Sequence, residues 1–155
     1  MAERLTGGCQ CGAVRYALAS TPISASICHC RMCQKAGGGA FLVSATLPAT
    51  DFAWTRGQPA TFQSSSAAAR DFCAACGTPL TFRFTPGERI SVGVGTLDEP
   101  GAVTPDEQIG IESRLPWWRH VGQIPDEAAQ PMPGLVIYQH PDRDTSPDWA
   151  PPARR

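Results

Sequence analysis

Apolar and polar residues alternate along several short stretches of this chain. Val14, Tyr16 and Leu18 are interleaved with Arg15 and Ala17, Leu80, Phe82 and Phe84 with Thr81 and Arg83, and Ile90, Val92 and Val94 with Ser91 and Gly93. A period of two puts one set of side chains on one face, so each stretch predicts a half-buried β-strand. The runs AFLVSATL (40–47) and DFAWT (51–55) predict two more, separated by Pro48. The best helical candidate is short, RMCQKA at 31–36, and Gly37, Gly38 and Gly39 stop it at once. From Gln123 onward the chain turns proline-rich, with one further strand predicted at LVIYQ (135–139) before a tail expected to be loosely held. The pattern describes one mainly β domain of antiparallel sheets over residues 1–122, with a proline-rich extension, 123–155, packed loosely on it. Fifteen glycines and fifteen prolines supply the turns.

Length and charge narrow the class. A chain of 155 residues can bury a core without depending on cross-links. No stretch approaches the roughly 18 consecutive apolar residues of a membrane span, and MAERLTGG lacks the apolar segment of a secretory signal. A cytoplasmic protein with no membrane partner is therefore expected. A formal charge of −1 and twelve scattered arginines offer no basic face, which speaks against nucleic acid as a partner.

The seven cysteines change the picture most. A reducing compartment disfavours disulfides and leaves metal binding or catalysis as the reasons to keep thiols. They fall in three clusters, Cys9-Gln10-Cys11, Cys28-His29-Cys30-Arg31-Met32-Cys33 and Cys73-Ala74-Ala75-Cys76. A C-x-x-C turn can aim two sulfurs at one point about 2.3 Å away, and glycine after it, as at Cys76-Gly77 and Cys11-Gly12, lets the backbone fold beneath a metal. A C-x-C pair closes only a strained disulfide ring, so metal is favoured. Structural zinc sites usually combine two pairs from separate segments. The economical partition gives Cys9, Cys11, Cys73 and Cys76 to a closed site and leaves Cys28, Cys30 and Cys33 to hold a second zinc with one position vacant, as catalysis requires. Two alternatives stand beside it: His29 or His120 completes the triplet as a structural site, or Cys30 and Cys33 act as a redox dithiol.

In these segments the sequence resembles the family that includes glutathione-dependent formaldehyde-activating enzymes and the centromere protein V domain. The resemblance rests on GGCQCGAVRY (7–16), CHCRMCQKAGGGAF (28–41), FCAACGTPL (72–80), VGTLDEP (94–100) and IESRLPWW (111–118), in that order. It implies a β-tent fold with the first and third cysteine clusters meeting at a structural zinc, and it assigns Cys28, Cys30 and Cys33 to the catalytic zinc. It also implies glutathione and formaldehyde as substrates, S-hydroxymethylglutathione as product, and a place among the carbon–sulfur lyases.

Seven thiolates remove seven charges and two zinc ions return four, taking the formal −1 to −4. Glutathione is itself anionic, so local cations must recognise it. Arg31 and Lys35, beside the triplet, are the candidates for binding its carboxylates. Trp117 and Trp118 are candidates for lining a cleft or closing a core, and His120 for a general acid or base. Two other functions fit the same residues: a carbon–sulfur enzyme acting on another small thiol, and a non-catalytic, zinc-stabilised binding module.

Overall fold

The computed structural model describes residues 4–144 and Trp149; residues 1–3, 145–148 and 150–155 lie outside the described residues. The architecture is mainly β. Strands β1 (Thr6–Gly8), β2 (Arg15–Leu18) and β5 (Phe52–Arg56) form a small sheet in the order β1-β2-β5. The large sheet holds β3 (Ser24–Cys28), β4 (Leu42–Pro48), β6 (Ala60–Ser65), β7 (Ala68–Phe72), β8 (Pro79–Phe84), β9 (Arg89–Gly93) and β10 (Glu107–Ile109), ordered β10-β3-β4-β9-β8-β7-β6. The one α-helix among the described residues, α1 (Arg31–Gly37), ends on Gly38, whose φ of 68° is the left-handed conformation glycine adopts without penalty.

Tyr16 and Leu18 of the small sheet pack in one apolar core with Ala45, Leu47, Ile90 and Val92 of the large one. Tyr16 is clasped by Phe52 and Trp54, ring centroids 5.4 and 6.1 Å away, and its hydroxyl meets Thr96 Oγ1 at 2.8 Å. The large sheet turns its apolar alternation inward and a hydroxyl-rich alternation outward. Ser24 faces Thr46 across β3 and β4, Ser26 faces Ser44, and Thr46 faces Ser91 on β9. Side chains directly opposite one another in paired strands share a face, so these hydroxyls form one polar floor.

Four features depart from the sequence expectations. Strand β2 is buried on both faces, Arg15 included, rather than half-buried. On β8 Leu80 is buried as predicted, but beyond it the alternation is inverted: Thr81 and Arg83 pair with Val92 and Ile90 in the inward rows, while Phe84 is 61% exposed. Asp71 makes this tolerable, because its buried carboxylate accepts from Thr61 (2.6 Å), Thr81 (2.6 Å) and Arg83. Strand β10 runs parallel to β3, which the long connection after β9 permits, whereas antiparallel sheets alone were expected. Residues 135–139 form no strand; Leu135, Val136 and Ile137 are exposed and find no sheet edge to pair with. Farther on, the His140 N–H donates to the Gln10 carbonyl at 2.7 Å, and its buried ring accepts from Arg56 at 3.0 Å. No helix among the described residues is long and apolar enough to cross a membrane.

Candidate functional site

The first and third cysteine clusters lie on the β1–β2 and β7–β8 loops, and the fold brings these loops together. Both loops are built by backbone hydrogen bonds: Gly12 N–H donates to the Cys9 carbonyl at 3.0 Å and Gly77 N–H to the Cys73 carbonyl at 2.8 Å. Gly12 and Gly77 take φ of 74° and 80°, which a residue with a Cβ would resist, so each glycine allows the chain to turn under its sulfurs. The four Sγ atoms of Cys9, Cys11, Cys73 and Cys76 lie within 4.8 Å of one another. Cys9 and Cys11 are 3.7 Å apart, and Cys11 and Cys73 3.8 Å. Tetrahedral sulfurs at about 2.3 Å from zinc would be about 3.8 Å apart, so this donor set fits the ion that sulfur-rich tetrahedral sites select.

Hydrogen bonds tune these thiols individually. Burial, which opposes charge, pushes Cys9 up to about 12 despite the Val14 N–H directed at its sulfur from 3.3 Å. Burial also works against the Cys76 thiolate, but the hydroxyl of Thr78, 3.2 Å away, and the Thr78 N–H overcome it and bring the thiol down to about 6. A metal-free cluster therefore shares few negative charges among many protons, and a cation binds by displacing those protons.

The triplet is positioned by the end of β3 and the start of α1. Cys30 caps α1, its Sγ accepting from the Cys33 N–H at 3.4 Å, and the helical turn carries Cys33 back beside it. The sulfurs of Cys28, Cys30 and Cys33 lie within 4.8 Å of one another, with Cys28 and Cys30 3.4 Å apart. Cys28 and Cys33 are 7% and 9% exposed, and Cys30 is half-buried. Burial pushes Cys28 up to about 12. At Cys30 burial has the same sense, yet the Cys33 N–H and the neighbouring thiols donating to its sulfur prevail and lower it. Donors converge on Cys30, so negative charge gathers there first.

The structure separates His29 from this group. Its ring is buried, 2.9 Å from Gln108 Oε1 through Nε2 and packed on Phe41 and Trp118, and it takes no part in the sulfur cluster. The Gln34 amide donates to the His29 and Ser113 carbonyls, at 2.6 and 2.9 Å, pinning α1 to the segment after β10. That segment reaches the triplet through Gly110, whose φ is 65° and whose added Cβ would lie 2.7 Å from the Cys30 nitrogen. Gly110→Ala is expected to cost on the order of 1–3 kcal/mol and to weaken metal retention at the triplet while sparing the four-cysteine site, as metal analysis after dialysis would show.

The triplet opens onto a cleft of about 400 Å³ whose floor is the hydroxyl face of the large sheet. Arg70 of β7 reaches across it, donating from Nη2 to Cys33 Sγ at 3.3 Å while lying over the Phe82 ring, 4.9 Å from its centroid. Sequence reasoning missed Arg70 and the hydroxyl floor, because 37 residues separate Arg70 from Cys33. Arg31 and Lys35 line a neighbouring depression with Met32 and Phe62, outside the cleft that holds the sulfurs. Trp118 meets Phe41 edge to face, ring centroids 4.5 Å apart, and Trp117 is 49% exposed; neither lines the cleft, nor does His120, which lies 3.3 Å from Gln123. Asp98, within the VGTLDEP segment, is buried and clamped by Arg15 and Thr6.

Residues 4–113 match the family model described as glutathione-dependent formaldehyde-activating enzyme. A crystal structure of a Rhodobacter sphaeroides protein is similar at 24% identity with a TM-score of 0.54, covering 66% of this chain and 98% of that one. That likeness supports the fold alone. No curated protein matches the chain.

Proposed function

Because the chain belongs to the glutathione-dependent formaldehyde-activating family, we propose that it is a carbon–sulfur lyase of the cytoplasm that joins glutathione to formaldehyde at Cys28, Cys30 and Cys33. The observation that supports this reading is the placement of three clustered sulfurs at one end of an open cleft. Three protein donors leave a fourth tetrahedral position for a ligand, whereas the four-cysteine cluster fills its own coordination sphere. Two zinc ions are the cofactors proposed, one structural and one at the triplet. Bound at the triplet, zinc supplies Lewis acidity that favours the thiolate form of an incoming thiol at neutral pH.

The chain's own residues then account for binding and orientation. Cys28, Cys30 and Cys33 hold the site, and the Arg70 guanidinium offsets their accumulated negative charge from beside Cys33. In the reaction the glutathione sulfur forms a bond to the formaldehyde carbon, the C=O π bond becomes an O–H bond, and the thiol proton ends on that oxygen. Nothing is oxidised or reduced. The hydroxyls of Ser26 and Ser44, on the cleft floor, are suited to donate and accept hydrogen bonds along the bound ligand. The open triplet also favours an enzyme over a binding module, which has no need of a vacant metal position.

The test combines metal analysis, X-ray absorption and exchange NMR with ¹³C-formaldehyde. Two zinc ions per chain, a change in sulfur coordination only when glutathione is added, and faster exchange between formaldehyde and S-hydroxymethylglutathione are expected. Two four-ligand sites indifferent to glutathione, with exchange no faster than in buffer, would refute the proposal.

A further inference from the structure

The cleft has charged ends as well as a reactive one. Four charged side chains contribute to its lining, and two of them are committed: Arg70 to Cys33 and Phe82, and Arg83 to Asp71. The other two, Arg89 at the start of β9 and Glu107 at the start of β10, have no hydrogen-bond or ion-pair partner among the described residues. Both are exposed, so each is free to meet a ligand.

Strand register gives their spacing. Cys28 pairs with Leu42, and Arg89 pairs with Pro48, six residues farther along β4. At about 3.4 Å per residue those rows are roughly 20 Å apart. A long arginine side chain reaches back along the floor from that far row toward the sulfur end. Glu107 pairs with Ser26, one two-residue step from the row that joins Ile109 to Cys28. It therefore stands about 7 Å along the sheet from the sulfur end. Between the two charges lie Ser24, Thr46 and Ser91 in directly facing positions, hydroxyls that can both donate to and accept from peptide groups.

Resting on the reading of the triplet as the thiol-binding end, we infer that Arg89 and Glu107 are the specificity-determining residues of the cleft. Arg89 takes a carboxylate of the thiol substrate and Glu107 takes its ammonium group. The ligand selected is an elongated zwitterionic aminoacyl thiol, and a short uncharged thiol gains nothing from either residue. Arginine suits this role because its planar fork matches a carboxylate in two parallel hydrogen bonds.

Calorimetric titration of the zinc-loaded protein, without formaldehyde, tests the assignment. Arg89→Gln should weaken glutathione about tenfold, in line with the loss of a charge-assisted pair, and should leave the diethyl ester of glutathione unaffected. Glu107→Gln should weaken glutathione comparably and leave N-acetylglutathione unaffected. 2-Mercaptoethanol should bind the wild type and both variants alike. Unchanged glutathione affinity in both variants would overturn the inference even if the wild type forms S-hydroxymethylglutathione. A parallel loss of 2-mercaptoethanol binding would also overturn it, by assigning the effect to the fold. Arg89-dependent binding without any acceleration of product exchange would instead reject the proposed reaction and leave the inference standing.

Discussion

Cys76→Ala is expected to unfold the protein at room temperature, whereas Cys30→Ala leaves a folded chain that has lost one metal ion. The difference follows from what each cluster joins. Cys9 and Cys11 belong to the loop after β1 of the small sheet, and Cys73 and Cys76 to the loop after β7 of the large one. Apart from these sulfurs, Gln10 N–H to Thr78 Oγ1 at 3.1 Å is a link between the two loops, and it is exposed. A structural zinc site contributes about 10–16 kcal/mol of apparent binding free energy, all of it unavailable to the unfolded chain. That is comparable with the whole net stability of an ordinary domain, about 5–15 kcal/mol. The triplet lies within ten residues of one β-strand end and one helical turn, so its metal ties together only neighbouring segments. Circular dichroism melts combined with metal content would check both variants. Equal collapse would remove the division between a structural and a reactive site.

Asp98→Ala is expected to destabilise the fold by about 3–5 kcal/mol, the usual consequence of leaving one member of a buried ion pair alone. Arg15 grips both Asp98 oxygens, at 2.9 and 2.5 Å, and Thr6 donates to one of them at 2.5 Å. The two side chains are 5% and 4% exposed, so Arg15 would remain charged and dry without its partner. The contact joins β1, β2 and the segment after β9, beside the Gly7–Leu97 backbone bridge and the Tyr16–Thr96 hydrogen bond. Arg15→Met combined with Asp98→Leu should recover much of the loss, because an apolar pair removes both desolvated charges.

The same pair sets an acid limit. Burial alone would raise the Asp98 carboxyl, but the Arg15 and Thr6 hydrogen bonds and the Arg15 charge outweigh it and hold the carboxyl below its ordinary value. A depressed folded value makes its contribution fully present above the unfolded value, near about 3.9, and lost as pH falls through the folded one. Urea unfolding between pH 6 and 2 should show wild-type stability declining more steeply below about pH 4 than that of Asp98→Asn.

Much of the frame was legible because it depends on near neighbours. Period-two alternation marked β2, β8 and β9; the apolar runs marked β4 and β5; and the triple glycine after RMCQKA marked the end of α1. Cysteine spacing grouped the four sulfurs of one cluster and the three of the other as they stand in the structure. Turns and ligand pairs are local objects, and a few consecutive residues suffice to specify them.

Alternation identifies a strand without saying what covers each face, which is why Phe84 turned out exposed and Arg15 buried. Arg31 and Lys35 flank the triplet in sequence, yet on a helix of 3.6 residues per turn adjacent side chains diverge, and both line the neighbouring depression. Arg70 reaches Cys33 from β7 although β8 and β9 stand between β7 and β4 in the sheet, a juxtaposition that no local pattern specifies. Asp98 finds Arg15 83 positions away, and Gly110 admits a backbone approach to Cys30 from a strand that pairs in parallel with β3.

By itself, then, the sequence determined strands β2, β4, β5, β8 and β9, the turn glycines and the two sulfur sets, since each is an outcome of spacing over a few residues, whereas β1, β3, β6, β7 and β10 emerged only in the structure. Tertiary structure alone decided which faces are dry, which charges meet and what lines the cleft. Those depend on strand order and register between segments distant in the chain, which no local pattern encodes.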